Sequence, residues 1–320
     1  MVVYEESRLI SMIEPMQGET LARVMRNGMV ESVHSGHLVE LDEDGAVVRS
    51  LGSVHLPIYP RSAVKSLQAA AMVRNGLKLT PKQLAVVCAS HSGSEEHFEV
   101  IRSILSGVGL DESALRNATD KPLGEKERIA WGDKAPTQMA QNCSGKHAGM
   151  LATCVANGWD LETYTSPTHP LQVAIIAEFE KLAREKMQFI TADGCGAPLF
   201  AFSTAGLAQA IHTITISDDP VYQEVLNAQR AHPEMVGGNN RLNTRQMQAI
   251  PGLFMKEGAE SVMVMSVPDG RTLALKVADG NYRPLGPIVH ATLKSWGFNS
   301  PDETVNVIGG GKVVGTVEPA

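Results

Sequence analysis

Ser62 and Lys65 stand three residues apart in the run Pro60-Arg61-Ser62-Ala63-Val64-Lys65. On a helix that spacing puts a hydroxyl and an ammonium on one face, close enough to share a hydrogen bond. A serine hydroxyl is a weak nucleophile until a base takes its proton. An amine can be that base when burial or a second cation lowers its pKa from about 10.4 towards neutrality. An isolated Ser-x-x-Lys is more often a capped helix with its lysine in water, so the spacing needs company. It comes in order along the chain. In Cys88-Ala89-Ser90-His91-Ser92-Gly93-Ser94 an apolar element breaks into small polar residues at a helix start, where hydroxyls and backbone N–H groups can meet a polar or anionic ligand. Lys256-Glu257-Gly258 then supplies a late second cation, beside a glycine that would let substrate lie close to the backbone.

A different chemistry is open to Asn142-Cys143-Ser144-Gly145-Lys146-His147 and to Asp193-Gly194-Cys195-Gly196, about fifty residues on. Two cysteines with a nearby Lys or His could hold Zn²⁺, which thiolates favour, and leave one position to water. Neither cysteine belongs to a Cys-x-x-Cys knuckle, so spacing alone puts buried, inert thiols ahead. Cys88 and Cys154 sit among apolar neighbours and read as core. The sequence carries no Walker A, G-x-G-x-x-G, H-E-x-x-H or G-x-S-x-G motif.

The elements that must position these residues are strand-like at both ends of the chain. From Leu21 onward apolar and polar residues alternate, with turns at Asn27-Gly28 and Asp44-Gly45, and the first fifty residues read as an antiparallel meander. A helix is expected from Ser62 to Val73, stopped at Asn75-Gly76. Leu84–Ala89 is a buried strand or helical turn, and Ser92 with Glu95 gives a capping box before the next helix. Further helices are expected at about Cys143–Val155, Leu171–Lys186 and Pro220–Ala231. Ser261–Val267 and Thr272–Val277 flank Pro268-Asp269-Gly270-Arg271 as strand, turn and strand. The expected fold class is α+β: an antiparallel sheet from the N- and C-terminal segments with a mainly helical middle, the plan of the serine β-lactamase-like architecture. Residues 1–320 then form a single domain with a helical sub-region at about 100–235.

Composition limits the partners. The 320 residues include 28 Lys+Arg against 35 Asp+Glu, a net charge of −7, with no basic run to attract phosphate backbones or anionic lipid surfaces. Nucleic acid and membrane are therefore not expected partners. No apolar stretch approaches the roughly 20 residues needed to cross a bilayer. Met1–Arg8 carries acid where a secretory signal needs base, and four sparse cysteines suit a reducing compartment, so a cytoplasmic location is expected.

Several of these stretches resemble the bacterial asparaginase II family. They are Pro60–Lys65, Cys88–Ser92, Asn142–Met150, His169-Pro170-Leu171-Gln172, Asp193-Gly194-Cys195 and His232-Pro233-Glu234-Met235-Val236. The matches run in order over nearly the whole chain, and Asn142–His147 is the most specific of them. The resemblance implies a serine β-lactamase/glutaminase-like fold, hydrolysis of L-asparagine to L-aspartate and ammonia, and a homodimer. It assigns Ser62 as nucleophile with Lys65 as its partner, Ser90 with Lys256 as a second pair, and Cys143, Lys146 and Cys195 as zinc ligands, with His147 a further possible ligand. Arg61, His91 and Asp193 are the candidate substrate contacts. Two rivals stand beside this reading: a β-lactam-recognising or other Ser-Lys serine hydrolase, and a non-enzymatic zinc-stabilised binding protein.

Overall fold

The computed structural model describes residues 18–320, so the Met1–Arg8 stretch weighed as a targeting signal lies outside the described residues. The strands are β1 (Glu19–Arg26), β2 (Met29–Leu41), β3 (Val47–Leu51), β4 (Pro57–Ile58), β5 (Ile190–Ala192), β6 (Pro198–Phe200), β7 (Phe202–Ser203), β8 (Phe254–Gly258), β9 (Val262–Ser266), β10 (Thr272–Val277), β11 (Asn306–Gly309) and β12 (Lys312–Pro319). The helices are α1 (Lys65–Arg74), α2 (Pro81–Val87), α3 (Glu95–Gly107), α4 (Glu125–Trp131), α5 (Ser144–Asn157), α6 (Pro170–Ala183), α7 (Thr204–Ile216), α8 (Pro220–Ala231), α9 (Pro233–Val236), α10 (Leu242–Ala249) and α11 (Leu285–Ser295).

One antiparallel sheet runs in the order β11-β12-β1-β2-β10-β9-β8, with β3 paired to β2. The two ends of the chain meet where β2 pairs with β10, Leu38 opposite Leu275. The α+β plan expected from the sequence is the plan observed. Period-2 alternation divides the sheet's side chains between two cores. Phe254, Val262, Val264 and Ala274 join the helices of the middle region. Met255, Met263, Met265, Leu273 and Leu275 face the other way and pack with Leu285, Ile288 and Val289 of α11. The helical middle lies on the first face, with α7 across β2, β9 and β10. Parity therefore decides that Lys256, two residues after Phe254, points towards the helices, and that is the wall the site uses.

Local differences from the sequence reading have identifiable causes. Leu84–Val87 lies in a helix whose start is a capping box between Thr80 and Gln83, with Pro81 at its first turn. The cap of α3 is Ser94, which accepts from His97 N while the His97 ring accepts from Ser94 N. Ser92, expected there, instead donates its hydroxyl to Gly237 O at 2.9 Å. Helix α6 ends three residues earlier than expected, at Ala183, because Arg184 turns left-handed at φ 55°. Strands β11 and β12 were not expected at all: β11 is the sheet's edge and β12 its neighbour, both largely exposed with little apolar alternation. Among the described residues, no helix is long and apolar enough to cross a membrane.

Candidate active site

The segment expected as one helix from Ser62 is two elements. Arg61–Val64 forms a 3-10 turn entered with Arg61 at φ 51°, a left-handed conformation costly for a side chain with a Cβ, and α1 begins only at Lys65. The turn rests on β8. A Cβ on Gly258 would come within 2.6 Å of Pro60 O and 3.2 Å of Ser62 N. This glycine therefore admits the chain's own backbone, where the sequence reading gave that space to substrate.

Ser62 and Lys65 share no hydrogen bond. The Ser62 hydroxyl has no hydrogen-bond partner among the described residues and lines a small cavity of about 10 Å³, room for one water, together with Arg61, Lys65, Gln68, Lys146 and Asp193. Lys65 is 1 % exposed and lines the same cavity, with its amine engaged by other partners. Its ammonium donates to Ala89 O, lies 3.3 Å from Ser90 Oγ and is 3.1 Å from Cys143 Sγ. Lys256 Nζ approaches the same serine from β8, 3.1 Å from Ser90 Oγ and 2.7 Å from Glu257 O. One hydroxyl is thus held between two buried amines from distant parts of the chain. Burial, with the charges of Lys65 and Arg241 nearby, pulls the Lys256 pKa well below its ordinary value.

Backbone bonds pin the Ser90 loop on two sides. Ser90 N donates to Val236 O and Ser92 N to Gly237 O, while His91 N donates to Asn142 O. The His232–Val236 stretch quoted for the resemblance is therefore a strap behind the serine. His91 is not placed as a substrate contact. Its ring is fully buried, lies 2.8 Å from Ser144 Oγ, stacks on His97 at 5.3 Å and does not line the cavity.

Beside the cavity, Cys143 at the N-cap of α5, Lys146 in its first turn and Cys195 from the loop after β5 come together. Lys146 Nζ donates to Cys195 Sγ at 3.2 Å, and the Cys143 thiol donates to Asn142 Oδ1 at 3.1 Å. The neighbouring Cys143 thiol and the Lys146 charge hold Cys195 well below the usual thiol range, whereas the Cys195 sulfur and burial push Cys143 up to about 12. Lys146 stays charged against burial because the thiolate and Asp193 outweigh it. Burial also opposes the Asp193 charge, but Lys146 and Arg61 hold its pKa low, and Arg61 Nε donates to Asp193 Oδ1 at 2.8 Å.

The donor set fits zinc: two free sulfurs in contact and one buried amine, with a cavity beside them. Among the described residues no group of three His, Cys, Asp or Glu side chains could hold a metal, so an ion here needs Lys146. His147 turns elsewhere, with Nδ1 2.7 Å from Tyr164 OH, and burial pushes its pKa down to about 3.

Three residues went unread in the sequence. Gln68 continues the Lys65 face of α1 one turn on and reaches the cavity, a periodicity that could have found it. Arg241, ion-paired with Glu257, and Tyr282, whose hydroxyl donates to Gly258 O at 2.9 Å, brace β8 through contacts that no spacing encodes.

No curated protein matches the chain in sequence. Among solved structures, a β-lactamase from Mycobacterium bovis is similar at 13 % identity and a TM-score of 0.37, over 82 % of this chain and 95 % of that one. A protein described as a β-lactamase from Bacteroides dorei is similar at 12 % identity and a TM-score of 0.44, over 91 % of this chain and 100 % of its own. The L-asparaginase II family matches residues 22–317, a span that contains every site residue described above, and the chain belongs to that family.

Proposed function

We propose that the protein hydrolyses L-asparagine to L-aspartate and ammonia through an acyl-enzyme on Ser62. Family membership supports the amide hydrolase, and the observation that carries the mechanism is the run of contacts from Lys65 through Ser90 to Lys256. Ser62 is the serine that lines the cavity; Ser90 is held between the amines as a relay. A proton passed from Lys65 through the Ser90 hydroxyl to the Lys256 amine leaves Lys65 as a free base. Lys65 then takes the Ser62 proton as Oγ attacks the side-chain carboxamide carbon. Collapse of the tetrahedral intermediate breaks the C–N bond, and a proton returned along the relay makes the leaving group ammonia. Water adds to the ester, giving up a proton to the same relay, and releases aspartate with Ser62 restored. Arg61 lines the cavity as the positive charge available to a substrate carboxylate in a protein of net charge −7. Cys143, Cys195 and Lys146 would hold a zinc ion, whose charge would polarise or orient a bound oxygen.

Ammonia release from L-asparagine tests the reading. Ser62→Ala is expected to lose at least about 10³-fold in kcat, as removal of a covalent nucleophile does, and mass spectrometry of quenched wild type should show an aspartyl ester on the peptide holding Ser62. Near-normal turnover by Ser62→Ala would assign the wrong nucleophile, and acylation by a β-lactam without ammonia release from asparagine would assign the wrong reaction.

A further inference from the structure

Gln68 lines the cavity but has no part in the chemistry derived so far. It follows Lys65 by three residues on the same face of α1. It is 4 % exposed, and its carboxamide makes no hydrogen bond to a described residue. The other glutamines buried among the described residues all do. Gln141 accepts from Cys143 N, Gln172 donates to Tyr164 O, Gln229 accepts from the Ser66 hydroxyl and Gln246 donates to Glu303. A carboxamide brings two N–H donors and an acceptor oxygen, and folded proteins seldom bury such a group without a protein, water or ligand partner.

The lining leaves this group to a ligand. Lys65 is engaged by Ala89, Ser90 and Cys143, Lys146 by Cys195, and Arg61 by Asp193. Apart from Ser62, the rest of the lining is apolar, Phe179 and Phe200 included. The cavity is also graded in depth: Arg61, Ser62 and Asp193 are half-buried, whereas Gln68 is buried. The ammonium and carboxylate of an amino acid are costly to take out of water, so they stay beside the half-buried ion pair. A side-chain carboxamide is neutral and can pass further in. The space itself, about 10 Å³, admits one polar group the size of a water molecule, which is the size of an amide NH₂.

We propose that Gln68 is a specificity-determining residue: its Oε1 accepts an N–H of the substrate's side-chain carboxamide, and its reach sets the length of side chain that brings that group against Ser62. The proposal rests on the reading of this site as that of an amide hydrolase, and adds to it the contact that separates a four-carbon from a five-carbon amide.

The test is ammonia release from L-asparagine and from L-glutamine by the whole protein, with a thermal melt of each variant. Gln68→Met keeps the length of the side chain and removes its polar atoms. It should lower kcat/KM for L-asparagine about tenfold, mostly through KM, with a melting temperature no lower than that of wild type, because no internal hydrogen bond is lost. Gln68→Asn keeps the carboxamide and draws it back by one methylene. It should raise the ratio of kcat/KM for L-glutamine to that for L-asparagine about tenfold, the discrimination that one methylene carries. A merely structural glutamine would lower the melting temperature when replaced and leave that ratio where it was. Undiminished kcat/KM for L-asparagine in Gln68→Met overturns the proposal. So does an unchanged ratio in Gln68→Asn, which decides the matter even where Gln68→Met fails to fold. Wild type that releases ammonia from neither amide sinks the functional reading and this contact with it; wild type active on L-asparagine, with either of those variant results, sinks the contact alone.

Discussion

Lys256 is a fully buried amine that donates to a hydroxyl and a main-chain carbonyl, with no carboxylate bonded to it among the described residues. Its depressed pKa has a consequence for stability as well as for proton transfer. The folded state holds this group neutral at pH values where the unfolded chain, with a lysine pKa of about 10.4, holds it charged. Between the two pKa values the unfolded state binds the extra proton, so stability rises with pH across that window and is complete only above the unfolded value. Lys256→Met removes the buried ionisable group. It is expected to abolish ammonia release and to raise the melting temperature, by more at pH 7 than at pH 10. Equal gains at both pH values would contradict a neutral buried lysine. The thiol pair gives a separate test. Protein purified without chelator should carry zinc at about one per chain by elemental analysis, and Cys143→Ser or Cys195→Ser should abolish it. Retention of the metal by both variants would place zinc elsewhere.

At the scale of elements, three close approaches set the positions of the catalytic candidates. The Ser62 turn lies on β8 where Gly258 has no side chain. Helix α5 lies on α2, where a Cβ on Gly145 would run into Val86 O and one on Gly149 would come within 2.8 Å of Val87 side-chain carbons. The strap after α9 lies on the Ser90 loop where Gly238, at φ 130°, leaves room for Ser92. Each is a place where a methyl group acts as a wedge between two pieces of the site. Gly258→Ala is expected to keep the fold at a cost of about 1–3 kcal/mol from overpacking, measured by denaturant unfolding, and to lower kcat more than tenfold as Ser62 moves off the strand. An activity loss no larger than that of a variant with a matched stability loss elsewhere would show that this contact does not position the serine.

For the whole molecule, the sheet is closed by residues from both ends. Strand β12 pairs with β1, and β1 with β2, so the meander and the C-terminal strands have no separate sheets to fall back on. Lys256 on β8 shares a face with the helical core, so the site itself joins the sheet to the middle region. A single cooperative thermal transition is expected, with ammonia release lost along the same curve as tertiary signal. Two resolved transitions would mean that the helical middle folds by itself. The homodimer implied by the family resemblance predicts twice the chain mass in sedimentation; a monomer at the assay concentration would remove it from the functional reading.

The sequence by itself determined the α+β plan, because alternation and turn residues at the ends and a 3.6-residue period in the middle are local signals that tertiary packing had no reason to override. It also offered Ser62, Lys65, Ser90, Cys143, Lys146, Cys195 and Lys256 as candidates, their roles coming from ordered motifs and the family resemblance because spacing alone left each with a blander reading. Pairing was decided only by the tertiary structure. Spacing joined Lys65 to Ser62, but folding gives its ammonium to Ala89, Ser90 and Cys143, which lie 24 to 78 residues away in the chain. His91 turned inward to Ser144, and Arg241 and Tyr282 came to brace β8 without any motif. A motif fixes which groups the chain owns, whereas the partner of a buried amine or imidazole is set by whichever polar atoms the packed core brings within about 3 Å.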